Sequence, residues 1–363
     1  MNCCLRWGYI LWENKELEKL KNAECSEELR KLIDTSFEKK GENYIIKLRE
    51  NVICPFLTED RLCSIQKELG EKYLSKTCRI YPRMFWLGGN TIYRYCNISC
   101  YRVMDILCND KDCMALENFE ITNKKIEAIK VDAITDTINH PELKYRHELL
   151  EFFYEIISDD SHSLETSIVL GAVAAQALTK IINNGEYDKI PDYIKDIKKQ
   201  LNDTKQIERL EAFKPKPEVR VGFAVNLNKE TVNFDLQRFI TNDGKISIEK
   251  FLEGERKFNE AYTDRPFALR NVALNLLLEL CMPFRDNNVS LFENYCYFAA
   301  AVSAVKFVAS VAAINNDPES GFKIVSAYVS RSFAHNYTMV KPIIELLNKY
   351  HCTSPAYLLL ILK

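Results

Sequence analysis

Ten of the thirteen cysteines in this chain of 363 residues fall before residue 115. They are Cys3, Cys4, Cys25, Cys54, Cys63, Cys78, Cys96, Cys100, Cys108 and Cys113, and only Cys281, Cys296 and Cys352 lie beyond. Such asymmetry constrains the fold more than any composition figure. A secreted disulfide framework would explain many cysteines in a short chain. Here no apolar signal segment follows Met1, and the cysteine-poor remainder is long and rich in core residues. In a reducing compartment, clustered cysteines mark metal ligation or redox chemistry, and the expected location is cytoplasmic.

The texture changes after Cys113. Helical spacing of apolar residues runs through Pro141–Ile157, Leu164–Ile182, Pro191–Ala212, Ile246–Tyr262, Pro266–Cys281, Ser290–Ile314, Pro318–Phe333 and Val340–Tyr350. Pro141, Pro191, Pro266 and Pro318 stand near the starts of such runs, where the missing N–H costs nothing. Lys214–Asn233, with Pro215 and Pro217, reads as a linker or strand-like interruption. Before residue 115 the pattern is mixed. Asn14–Phe37 reads as helix broken near Cys25, Tyr44–Ile53 as a short strand pair, and WLGGNTIYRY (Trp86–Tyr95) as a hairpin turning at Gly88-Gly89-Asn90. The expected fold is therefore mainly α: a small cysteine-rich α+β metal-binding lobe over residues 1–115, then a large helical domain over 116–363.

Several function classes are disfavoured. Forty-nine basic against fifty-one acidic residues leave a net charge of −2, without the clustered positive field of a nucleic-acid surface. With only 11 glycines and no G-x-G loop, the doubly wound nucleotide fold is disfavoured. No C-x3-C-x2-C triplet is present, so a radical mechanism lacks its usual signature. The run Tyr297–Ile314 is long enough to tempt a membrane reading, but it is built on alanine and carries Lys306 mid-run, which favours a buried core helix.

The informative block runs from Cys54 to Cys100, CPFLTEDRLCSIQKELGEKYLSKTCRIYPRMFWLGGNTIYRYCNISC. A turn at Thr58-Glu59-Asp60 can bring the Cys54 and Cys63 thiolates together. Cys78 follows a helix-like stretch, and Cys100 follows the hairpin. Four soft thiolates from separate loops suit zinc or an iron–sulfur cluster, although the spacings match no zinc-finger pair. Arg79 and Arg83 would offset the negative charge of such a site. Tyr81, Tyr93, Tyr95 and Tyr101 form an aromatic set able to hold a cation, with packing in a loop-rich lobe as the plainer role. Arg331 and His335, four residues apart, present a pair that could bind a carboxylate or position a proton acceptor, against the plainer role of a solvated helix end.

Within that block, CPFL…LCSIQKELGEKYLSKTCRIYPR resembles the signature of the flagellin lysine-N-methylase family and, more loosely, cysteine-rich zinc- or iron-chelating domains with a CPFL…C…C-R-x-x-P pattern. Cys3, Cys4 and Trp7 resemble the family's Cys-Cys-x-x-Trp segment. Phe267–Phe284 resembles its late helix, and Val329–Lys363 its C-terminal end, including Ser330, Arg331, His335 and Asn336. The resemblance implies methyl transfer from S-adenosylmethionine to lysines of flagellin, by an enzyme with an iron–sulfur cluster or, alternatively, zinc. It places the metal site on Cys3, Cys4, Cys54, Cys63, Cys78 and Cys100, with Cys96 a further candidate and Cys25, Cys108 and Cys113 bystanders. Tyr81, Arg83, Arg331 and His335 are the candidates for catalytic roles, while the donor-binding residues are not located. Family members carry a leading segment with further cysteines before the Cys-Cys pair, whereas here Met1 stands two residues before Cys3. Flagellin is the expected partner, with no nucleic acid and no membrane insertion. The competing class is a non-catalytic protein that chelates metal or binds flagellin.

Overall fold

The computed structural model describes residues 10–50, 52–89, 91–118, 137–201, 203–214, 216–230, 247–315 and 317–363. Cys3, Cys4 and Trp7 lie outside them. The chain divides into two compact units, Met1–Arg83 and Met84–Lys363. The boundary anticipated at residue 115 thus falls earlier, because the Trp86–Tyr95 hairpin and the helix after it pack into the second unit.

In the first unit, helix α1 (Asn14–Lys21) opens with a capping box in which the Glu13 amide donates to Glu16 Oε2 at 3.0 Å. Helix α2 (Glu27–Thr35) starts afresh because the Ser26 hydroxyl accepts from the Leu29 amide at 3.2 Å. That cap is the physical cause of the break near Cys25. The helix ends at Thr35 rather than Phe37, which opens a strand. Strands β1 (Leu11–Trp12), β2 (Phe37–Lys40) and β3 (Asn43–Ile46) form an antiparallel sheet in the order β1-β3-β2, with Trp12 opposite Tyr44 and Phe37 opposite Ile46. The strand pair expected within Tyr44–Ile53 is therefore corrected. Tyr44 pairs backwards to β2 and β1, and only an isolated Arg49–Ile53 bridge remains downstream. Trp12, Leu20, Leu29, Ile33, Ile46 and Phe56 form a small buried core under the sheet.

The second unit begins with the anticipated hairpin, β4 (Arg83–Gly88) and β5 (Thr91–Cys96), whose turn uses Gly89 at φ +59°. Trp86 anchors it, stacking on Tyr93 with 3.9 Å between centroids and donating its indole N–H to the Leu278 carbonyl at 2.9 Å. Arg146 lies over the Trp86 ring and donates to the Cys281 carbonyl at 3.0 Å; burial pulls its pKa down to about 10.

Around these elements lies a helical array centred on Leu291–Asn315, an apolar helix whose Leu291–Ile314 portion is 89% buried. It is long and apolar enough to cross a membrane, as is Leu164–Asn183. Its lone mid-run cation is neutralised: Lys306 Nζ meets Glu165 Oε1 at 2.6 Å and the Leu362 carbonyl at 2.9 Å. Burial would raise the Glu165 carboxyl, but the Lys306 charge wins and lowers its pKa. Small side chains let neighbouring helices approach the centre. Gly254, in helix Ile248–Ala261, lies where a Cβ would run into the Ser310 carbonyl. Two expectations change here. Pro191–Ala212 is two helices, Ile190–Leu201 and Thr204–Ala212, because Asp203 caps the second by accepting from the Lys205 amide at 3.0 Å. The interruption expected at Lys214–Asn233 is instead largely helix, Pro217–Glu230; its proline occupies the first turn, and Val221, Ala224 and Leu227 are buried. Residues 231–233 lie outside the described set.

Candidate functional site

Three of the six predicted metal ligands, Cys54, Cys63 and Cys78, line one cavity of the first unit. Leu57 and Cys63 form a bridge across a tight turn. There the Thr58 amide donates to the Leu62 carbonyl at 3.0 Å, the Ser64 amide returns to the Phe56 carbonyl at 2.9 Å, and Arg61 adopts φ +59°. Cys54 and Cys63 flank this turn, and both line that cavity. Cys78 sits in the short helix Lys76–Ile80, capped by the Ser75 hydroxyl, which accepts the Cys78 amide at 3.2 Å. All three thiols line one cavity of about 330 Å³, together with Arg79, Tyr81 and Arg83.

Ile10, Ile46, Phe56, Ile65 and Leu74 supply apolar wall, and Gln66, Glu71 and Thr77 polar wall, with Glu71 Oε1 3.8 Å from Arg83 Nη2. Arg83 is held locally, Nη2 donating to the Arg79 carbonyl at 2.8 Å and Nε to the Ile80 carbonyl at 3.3 Å. Buried Trp12 also lines the cavity, and its indole N–H finds no hydrogen-bond partner among the described residues.

By donor type these residues fit a soft-metal or iron–sulfur centre. By geometry the described part is incomplete, for no three His, Cys, Asp or Glu side chains among the described residues stand close enough together to hold one ion. Cys100 belongs to the second unit, where it precedes helix Tyr101–Asn109 as its N-cap, and Cys96 ends β5. The bystanders behave as packing groups: burial pushes the Cys108 and Cys113 thiols up to about 11, which keeps them protonated.

Tyr81 is at the cavity of the first unit, the Tyr93 face is covered by Trp86, and the Tyr101 ring already carries Lys323 Nζ at 5.3 Å.

A second constellation, unforeseen as a unit, lies inside the helical unit. Glu279 ends helix Phe267–Glu279 and is fully buried. Its Oε1 accepts from Asn97 Nδ2 at 2.9 Å and from the Ser330 hydroxyl. Its Oε2 accepts from the Ile98 amide and from Asn275 Nδ2, each at 3.2 Å. Burial pushes the carboxyl up to about 7, against the pull of these donors and of Arg285. The same Asn97 amide reaches His335 Nε2 at 2.9 Å, so a predicted candidate from the C-terminal segment is wired to a carboxylate that sequence reading passed over. The available signal was a polar stripe, Asn271, Asn275 and Glu279 at four-residue spacing in an otherwise apolar helix.

Residues 150–361 match the profile of the FliB lysine N-methylase C-terminal domain, more than half of the chain. The chain belongs to this family. Glu279, Ser330 and His335 all fall within the matched segment. Among curated relatives, the lysine-N-methylases of Salmonella typhimurium and Salmonella choleraesuis are each 35% identical over 96 residues, covering 23% of this chain and 24% of the relative. The flagellar biosynthetic protein FliU of Salmonella muenchen is 44% identical over 63 residues, 17% of this chain and 37% of the relative. The alignments thus span about a quarter to just over a third of these relatives' lengths. No solved structure matches.

Proposed function

We propose that this chain is a protein-lysine N-methyltransferase that acts on flagellin in the cytoplasm, with S-adenosylmethionine as methyl donor and an inorganic centre held by the thiols of the first unit. The supporting observation is the family membership across residues 150–361, joined to a thiol-lined cavity built by the CPFL…TCRIYPR block. In the reaction the neutral ε-amine of a lysine takes the methyl from the sulfonium, a C–N bond replaces a C–S bond, and the former ammonium proton leaves to a base or to water. The neutral amine is the scarce species near pH 7, so the enzyme's task is to desolvate or deprotonate the ammonium. An iron–sulfur or zinc centre would hold cysteine thiols in the thiolate form and supply local order. Cys54, Cys63 and Cys78 are proposed to hold it, with Cys3 and Cys4 as the further candidates. Around it, Arg79 and Arg83, the latter shared with Glu71, would offset the thiolate charge, and the apolar part of the wall would limit water.

The test is a mass spectrum of flagellin coexpressed with the chain. The reading requires added mass on lysine in steps of about 14 Da, since each methyl replaces one N–H hydrogen for a net gain of CH2. Unshifted flagellin with metal bound to this chain would instead make it a chelating or flagellin-binding protein.

A further inference from the structure

A second cleft, of about 600 Å³, lies within the helical unit and shares no residue with the sites above. Its walls come from the end of helix Arg146–Ser158, the loop that follows, and helices Leu164–Asn183, Ile190–Leu201 and Thr204–Ala212. Ile156, Leu170, Leu201 and Ile207 give it an apolar side, and Asp159, Ser161 and His162 of the loop a polar one. The loop is fixed from behind, since buried Arg270 donates to the Ile157 and His162 carbonyls at 2.6 Å each.

His162 is the group that the fold leaves unused. Its side chain is 7% exposed, and its Nε2 is buried without a hydrogen-bond partner among the described residues. Nδ1 stands 3.0 Å from the Ser161 hydroxyl and 3.8 Å from Asp159 Oδ2. Burial would raise the Asp159 carboxyl, but the Ser161 amide and hydroxyl, then His162 and Arg270, outweigh it and lower the pKa. Because the Ser161 hydroxyl serves that carboxylate, its oxygen accepts from the ring. The neutral imidazole then carries its proton on Nδ1 and a lone pair on Nε2.

The nearby cations are engaged. Lys198 is tied to Glu155, Lys111 to Asp160 at 3.2 Å, and Arg270 to the loop carbonyls. Asp159 has no lysine or arginine ion pair among the described residues. No three metal-ligating side chains meet here among those residues, which disfavours a metal ion. Two acceptors beside an apolar wall favour a primary ammonium on an aliphatic stem.

We propose that this cleft docks a lysine side chain of the protein substrate, its stem along Leu170 and Ile207 and its ammonium at Asp159 and His162 Nε2. The identity of the protein that carries the lysine rests on the flagellin reading above, whereas the ammonium site does not. A primary ammonium also ends the amino-acid part of the methyl donor. That end would bring a carboxylate beside Asp159 and Glu155, with Lys198 already engaged, so lysine is favoured.

The test titrates the full chain with Nα-acetyl-lysine methylamide, its Nε-acetyl form, the norleucine counterpart and S-adenosylhomocysteine. NMR follows the His162 ring nitrogens and the Leu170 and Ile207 methyls. The lysine compound should shift all of them, and the two uncharged compounds should bind about tenfold more weakly. Asp159→Asn keeps an acceptor for the Ser161 amide yet should weaken the lysine compound alone about tenfold, and His162→Phe should do the same by the methyl signals. His162→Gln, which restores an acceptor, should recover part of the loss. Unchanged Val305 and Val308 methyls, from the buried central helix, show that each variant is folded.

Equal affinity for the lysine compound and its Nε-acetyl form, or variants without effect, overturns the docking site. A response to S-adenosylhomocysteine in place of lysine assigns the ammonium to the donor and overturns it as well. Flagellin without added methyl groups, beside intact lysine selectivity in this cleft, would sink the methyl-transfer reading alone. Methylation of flagellin by the Asp159→Asn chain with an unchanged KM would sink the docking site alone.

Discussion

In residues 10–83 a three-stranded sheet and short helices cover a modest core, and part of the space beneath them is a cavity faced with cysteines. Among the described residues of 84–363 the interior is filled by interdigitated helices around Leu291–Asn315, and several buried polar groups are matched in pairs and networks, Lys306 with Glu165 and Glu279 with four donors, while the Tyr295 hydroxyl has no hydrogen-bond partner there. Burial scales with size, so a unit as small as the first gains less from its core and leans on added ligands or cross-links. No disulfide joins the described cysteines to one another. The contrast is between a region that faces part of its interior with cysteines and one whose interior is filled by packed helices.

The largest expected effect comes from stripping the thiol site, since binding energy at a structural metal centre is folding energy. Chelation of the purified protein should collapse amide-exchange protection across residues 10–83 while the Leu291–Asn315 helix stays protected. Equal retention in both regions would break the comparison, and equal loss would show that the second unit does not stand on its own packing.

A smaller effect sharpens the other side. Glu279 titrates at about 7 in the folded chain against an ordinary 4.5, so the folded state holds the proton between these values. The stability this group contributes is complete below pH 4.5 and is lost as pH rises through about 7. The native unfolding free energy should therefore fall over that window, by on the order of 3 kcal/mol for a shift of this size. Glu279→Gln should abolish the slope even if it lowers stability throughout. A native chain with no slope between pH 5 and 8 would mean that the four donors keep the carboxylate ionised.

Much of the fold was legible because periodicity reports burial directly. The hairpin at Gly89, the break at Ser26 and the buried helix carrying Lys306 all follow from local signals. The Pro217–Glu230 helix was missed because Pro215 and Pro217 read as breakers, although a proline in the first turn is harmless. The cavity grouping of Cys54, Cys63 and Cys78 was anticipated from the turn between them and the family likeness. The Glu279 network was not, because its partners Asn97, Ser330 and His335 lie far off in sequence, and spacing carries no information about contacts at such separations. Shared proximity of the tyrosines in sequence likewise said nothing about which of their rings Trp86 and Lys323 would already face.

The most direct measurement is metal, iron and sulfide analysis of the anaerobically purified chain beside its Cys54→Ser, Cys63→Ser and Cys78→Ser variants. A stoichiometric centre in the native protein that is lost or depleted in each variant is the predicted result. Full metal content in all three variants, or none in the native chain, would contradict the claim that these thiols hold an inorganic centre.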